Sequence, residues 1–157
     1  MNLEQTNARW HEVLEGRYFG FLERLTALEL DRANEDFTRF RGLLTVHIDF
    51  EESTVETLPE VAELPEERHR LIAADHMILR RLLDKAAARL AAVGKSQQPR
   101  QLLVRNLNDF LRLANVLEHH DQRERQEFYP LLAARIGQRN CERLARGMEA
   151  AMRAVED

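Results

Sequence analysis

Phe37-x-x-Phe40-x-x-x-Leu44-x-x-His47-x-x-x-Glu51 is the stretch on which the reading of this chain turns. Its spacings of three and four residues trace one face of an α-helix. That face is apolar for two turns and then presents an imidazole and a carboxylate. Buried polar groups are costly unless they are partnered, so the pair demands an explanation. The pattern recurs near the end of the chain, where Leu103, Leu107, Phe110, Leu113, Leu117, His120, Glu124 and Phe128 share a stripe. Two further stripes each carry an inward histidine: His11 with Leu14, Tyr18, Phe21, Leu25 and Leu28, and His76 with His69, Ile72, Leu79 and Leu83. Four helices that each aim a histidine inward, two of them adding a glutamate four residues on, point to a metal site.

Outward from these stripes the chain reads as all-α. No segment alternates apolar and polar residues between turn clusters, as a half-buried strand would. The spacing predicts a first helix from about Leu3 to Leu30, a polar break over Asp31 to Asp36, and a second helix from Phe37 toward Leu58. Pro59 and Pro65 bracket the next connection, since proline cannot continue a helix interior. A third helix starts at Pro65-Glu66-Glu67, with proline and acids in its first turn, and stops near Gly94. The fourth runs from Gln98-Pro99 to Pro130. Short links between long helices imply an antiparallel up-down four-helix bundle over about residues 3–130. A shorter fifth helix at about 138–155 follows Gly137 and places Cys141, Leu144, Met148, Met152 and Val155 on one side. It is expected to pack along or across the bundle end, with a dimer contact as the other use of that face. A single domain over residues 1–157 is the expectation.

Composition narrows the classes further. Charged residues make up 32% and hydrophobic residues 44%, a balance that suits a soluble helical protein. No stretch approaches the roughly 20 apolar residues that span a bilayer. The start, Met1-Asn2-Leu3-Glu4-Gln5, lacks the basic and apolar regions of a signal peptide. A lone Cys141 leaves no intramolecular disulfide and fits a reducing compartment, so a cytoplasmic location is expected. A net charge of −4 speaks against a nucleic-acid footprint, and no membrane partner is expected.

Counting residues from each shared turn puts His11, His47 to Glu51, His76 and His120 at one depth, to within about 5–10 Å at a rise of ~1.5 Å per residue. His119 falls with Arg112, Asn115 and Arg123 on a solvated face, and His69 lies about 10 Å from His76 along the axis, toward the bundle end. Glu52 and Glu127 neighbour the ligand stripes, where exposed carboxylates are the default. Tyr18 reads as core in preference to a role beside the site.

These residues resemble the hemerythrin-like family, also called the HHE cation-binding domain. The likeness covers about residues 8–131. It rests on Leu44-x-x-His47-x-x-x-Glu51-Glu52, on Asp75-His76-x-x-Leu79, on His120-x-x-x-Glu124 running into Phe128-Tyr129-Pro130-Leu131, and more weakly on His11. The resemblance implies a non-haem di-iron centre. Glu51 and Glu124 would bridge the two metals, His11 and His47 would serve one iron, and His76 and His120 the other. It implies dioxygen, or a related ligand such as nitric oxide or peroxide, as the partner, and a binding or sensing protein more than an enzyme. One departure stands out. Oxygen-carrying members place two histidines one turn apart on the third helix, whereas the one-turn neighbours of His76 here are Ile72 and Arg80. Reversible oxygen carriage is therefore in question, and a water, His69 or another carboxylate would have to complete the sphere.

Other classes fit the residues less well. A ferritin-like di-iron carboxylate protein uses two Glu-x-x-His motifs plus two further glutamates; only Glu66/His69 has that spacing, close to a helix end. A zinc hydrolase would show His-Glu-x-x-His, which is missing. A metal-free helical interaction module would leave Glu51 and Glu124 as unpaired buried carboxylates. The oligomeric expectation is a monomer or a weak homodimer.

Overall fold

The structure is a computed structural model and describes residues 2–156, all of them in helices, turns or short links, with no strand among them. In chain order the helices are α1 (Leu3–Thr26), α2 (Leu30–Phe50), the single turn α3 (Pro59–Ala62), α4 (Glu66–Lys95), α5 (Pro99–Arg123) and α6 (Tyr129–Glu156). Two π-helical turns, Glu51–Val55 and Glu124–Phe128, extend α2 and lead α5 into α6. Among the described residues no helix is long and apolar enough to cross a membrane.

Local chemistry sets the boundaries. The Asn2 side chain accepts the Glu4 N–H and caps α1. Leu28, at φ 58°, turns the chain between α1 and α2. The turn therefore comes earlier than the spacing suggests, and the polar segment Asp31–Asp36 is helical. Its charges lie on the outer face while Ala33 is buried, so polarity there marks a surface and not a break. Pro99 occupies the first turn of α5, where its missing N–H costs nothing.

Consecutive long helices run antiparallel. Tyr18 packs on Phe40 and Phe21 on Phe37, with ring centroids 4.7 and 5.0 Å apart, which pairs α1 with α2. Arg80 bridges to Asp49 at 2.7 Å from α4 to α2, and Lys85 reaches Asp109 at 2.7 Å from α4 to α5. The Tyr18 hydroxyl donates to the Phe110 carbonyl at 2.8 Å and closes the circuit from α1 to α5. Inside lies one continuous core that includes Leu14, Phe21, Phe40, Leu44, Leu79, Phe110 and Leu117. Each fully buried side chain of this size contributes roughly 1.5–3 kcal/mol of transfer free energy.

The end of the chain departs from expectation. Pro130 does not stop the preceding helix: the π turn carries the chain on, and Pro130 sits in the first turn of α6, where it is tolerated. The break comes at Gly137, whose φ of 74° and ψ of 164° bend α6. Beyond the bend Leu144, Met148 and Met152 are buried against the chain's own core, while Val155 at the end of the stripe is exposed. Trp10 Nε1 donates to Glu149 at 3.1 Å, Arg9 pairs with the same carboxylate, and Arg17 meets Glu156 at 2.7 Å, laying α6 along α1. Gly147 lets α6 approach α2, since a Cβ there would meet the Phe50 ring at 3.1 Å.

The conformation of Gly137 is one that side chains strain to adopt. Gly137→Ala is expected to destabilise the fold by about 1–3 kcal/mol, read as a lower urea midpoint at unchanged slope.

Candidate metal centre

His11, His47, Glu51, His76, His120 and Glu124 meet in the interior, each at 0 or 1% exposure. α1 contributes His11, α2 His47, α4 His76 and α5 His120, while Glu51 and Glu124 open the π turns that follow α2 and α5. The apolar stripes bring them together, because every one of these side chains lies one turn from a buried Leu, Ile or Phe. His11 Nε2 lies 2.8 Å from Glu124 Oε2 and 3.1 Å from His47 Nε2. His76 Nε2 lies 3.1 Å from Glu51 Oε2, and His120 Nε2 3.2 Å from Glu124 Oε1.

The six donors fall into two overlapping groups, His11–His47–His120–Glu124 and Glu51–His76–His120–Glu124, whose ligand atoms lie within 4.8 Å of one another. These residues could hold a metal ion, and the donor chemistry passes a direct test. Cations bound at about 2.0–2.2 Å by nitrogen and oxygen set neighbouring ligand atoms about 3 Å apart, the spacing found here. Hydrogen bonding alone leaves the cluster short of protons. Nε2 of His11 faces Nε2 of His47, and at most one of the two can donate. Nε2 of His120 and Oε1 of Glu124 have no hydrogen-bond partner. Orphaned buried polar atoms converging on one point are what a cation would satisfy.

Carboxylates stand behind three of the four rings. Asp121 lies 3.7 Å from His11 Nδ1, Asp75 3.6 Å from His120 Nδ1, and Glu56 3.2 Å from His76 Nδ1, with Glu52 at 3.4 Å. Acids so placed orient an imidazole and raise its basicity toward a cation. Arginines hold three of them from outside: Arg123 grips Asp75 with two hydrogen bonds, Arg125 meets Asp121 at 2.6 Å, and Arg80 meets Glu52 at 2.8 Å. Each central carboxylate also has one neutral donor. The Tyr129 hydroxyl donates to Glu51 Oε1 at 2.5 Å, and Asn7 Nδ2 donates to Glu124 Oε2 at 2.9 Å.

Tyr129, Asn7, Asp75, Asp121 and Glu56 lie outside the residues expected from periodicity. Asp75 and Asp121 had a signal, since each is the sequence neighbour of an inward histidine. A residue one step along a helix points about 100° away, so each acid backs the ring of the next helix. Glu56 and Tyr129 are five residues beyond Glu51 and Glu124. In an α-helix they would point about 140° away, but each π turn closes an i to i+5 hydrogen bond, Glu56 N–H to Glu51 and Tyr129 N–H to Glu124. His119 is exposed, His69 half-buried, and Tyr18 donates outside the cluster. Ile72 is a buried apolar residue and Arg80 is turned to Asp49 and Glu52, so neither supplies a donor.

The charges in the cluster are unevenly divided. Burial drives His47 down to about 3 against the pull of Glu51, so its ring is neutral. Burial opposes the charge on His76, but Glu51 and Glu56 outweigh it and raise the ring to about 10. Glu51 is disfavoured by burial yet held well below the usual range by His47 and His76. Burial and the neighbouring Glu51 push Glu124 up to about 8. One carboxylate is thus ionised beside an imidazolium while the other keeps its proton. Shifts of this size cluster at functional sites.

Comparison with known proteins gives no family-model match, no similar curated protein and no similar solved structure.

Metal ligation needs neutral imidazole and ionised carboxylate, so uptake at neutral pH expels protons from His76 and Glu124. Both values are raised, which fixes the sign. Affinity is expected to climb as pH rises, more steeply below about 8, where both groups hold protons, and on up to about 10, where His76 loses its own. Zinc titrations in buffers of differing ionisation heat read the released protons directly. A flat affinity without proton release would contradict these assignments.

Proposed function

We propose that this chain is a hemerythrin-like protein, an antiparallel four-helix bundle with an additional C-terminal helix and a non-haem centre of two iron ions. Its role in this reading is to bind or sense dioxygen or a related small molecule such as nitric oxide or peroxide. The observation that carries it is the pair of overlapping ligand groups sharing His120 and Glu124. Two overlapping groups of four donors with two residues in common suit two cations that share a bridging carboxylate. The mixture of neutral imidazole and carboxylate suits iron. Bound iron supplies one-electron redox chemistry and an open coordination position.

The chain's own residues do the rest. Glu124 faces His11 with one oxygen and His120 with the other, so it spans the two groups. Glu51 turns Oε2 toward His76 and His47 at 3.1 and 3.5 Å. His11 and His47 serve one side, His76 and His120 the other. Asp121, Glu56 and Asp75 lie 3.7, 3.2 and 3.6 Å behind the Nδ1 atoms of His11, His76 and His120, where their charge favours a proton and leaves Nε2 for the metal. Leu14, Leu44, Leu79, Leu117 and Phe128, each a turn from a ligand and nearly inaccessible, keep water from the centre. Ile72 in place of a second third-helix imidazole leaves the His76 side poorer in donors, which favours sensing or redox use over reversible carriage.

Anaerobic loading with ferrous iron followed by desalting tests the reading. About two ions per chain are expected, as in bundle proteins with paired carboxylate centres. His120→Ala or Glu51→Ala is expected to abolish stoichiometric binding, and His119→Ala to leave it intact. Wild-type protein that retains no metal would return the chain to a metal-free helical interaction module.

A further inference from the structure

The two central carboxylates are used differently. Glu124 offers both oxygens to imidazoles, Oε2 to His11 at 2.8 Å and Oε1 to His120 at 3.2 Å. Glu51 offers one. His76, His47 and His120 all approach its Oε2, at 3.1, 3.5 and 3.9 Å. Its Oε1 accepts the 2.5 Å hydrogen bond from Tyr129, a fully buried phenol whose hydroxyl has no other hydrogen-bond partner among the described residues. Asn7 also donates to a central carboxylate, but to the oxygen of Glu124 that already faces His11, so it orients that oxygen without removing it from the centre. One turn before His76, Ile72 is 2% exposed and has no donor atom.

We propose that Tyr129 is a positioning residue that reserves Oε1 of Glu51, so that this glutamate gives bound metal one oxygen and leaves the His76 side one donor short. The inference rests on the metal-centre reading above. Carboxylates bind cations through one oxygen or two, and a free oxygen beside a cation closes onto it. A hydrogen bond to an ionised acceptor is among the stronger kinds, and here it holds that oxygen away. The donor withheld is a coordination position kept for a small exogenous ligand. The π turn at Glu124–Phe128 serves this arrangement, since it brings the fifth residue, Tyr129, back over the site.

Tyr129→Phe keeps the ring and removes the O–H. Iron-loaded wild type and variant are compared at equal metal content by infrared difference spectroscopy with 13C-carboxyl glutamate, and by azide titration. The variant is expected to keep its iron and to shift its carboxylate bands from one-oxygen toward two-oxygen binding. Azide should bind it about tenfold or more weakly, the scale of loss seen when an outer partner of a metal ligand is removed. Tyr18→Phe, which deletes a buried hydroxyl outside the centre, should match wild type in both readouts. Unchanged bands and azide affinity in Tyr129→Phe overturn the proposal and leave the metal centre standing. Loss of iron from Tyr129→Phe also overturns it, because a withheld oxygen is not needed for binding. Equal changes in Tyr18→Phe do the same. Wild type that takes up no iron overturns the metal-centre reading and this proposal together.

Discussion

Two glutamates and four histidines shut away from solvent impose a charge balance that the rest of the chain has to meet. A carboxylate taken out of water loses several kcal/mol of solvation unless a partner charge compensates. Here two of them lie among the same imidazoles; burial and the charge of Glu51 raise Glu124, while the imidazoles lower Glu51. Either protons or a cation must settle that balance. Protons settle it unevenly, with His76 charged, His47 neutral and Glu124 protonated. Bound metal would settle it through the Nε2 atoms, because all four rings turn that nitrogen inward.

The requirement spreads outward through the fold. An imidazole that presents Nε2 inward must do something with Nδ1, and three of the four rings meet an acid there. Asp75 and Asp121 are themselves buried, and acids so placed would add negative charge to an already acidic centre if left alone. Arg123, Arg125 and Arg80 offset it from the solvent side. The Arg80–Glu52 pair is exposed on both sides and contributes little stability by itself. Arg123 and Arg125 instead compensate buried carboxylates, which would be costly if left unpaired. The ring of helices, the acids between them and the arginines outside form one layered electrostatic arrangement.

Much of this was legible in the sequence, and the reason is periodicity. The six inward donors lie on period-3.6 stripes, and helices long enough to bury those stripes bring them to one depth. His119 and His120 separate cleanly on that rule, one exposed and the other at 0% exposure. The rule fails at the boundaries. Asp31–Asp36 looks like a break because an exposed helical face and a polar loop have the same composition. Pro130 looks like a stop because proline in a first turn and proline after a last turn cannot be told apart without the turn between them.

The same rule also hid Glu56 and Tyr129, and for a reason that bears on function. Both π turns begin at the glutamates of the centre. An uninterrupted α-helix after Glu51 or Glu124 would bring back only residues three and four further on, whereas the π turn brings back the fifth. Glu56 thereby reaches the ring of His76, and Tyr129 the carboxylate of Glu51. π turns are rare and gather at functional sites, so a matched pair at the two central carboxylates is not an accident of helix propensity. The segments 53–57 and 126–130 carry no glycine that would favour a loop. The distortion is held by what its fifth residue gains at the centre, so the chemistry of the site and the local departure from α-helix sustain each other.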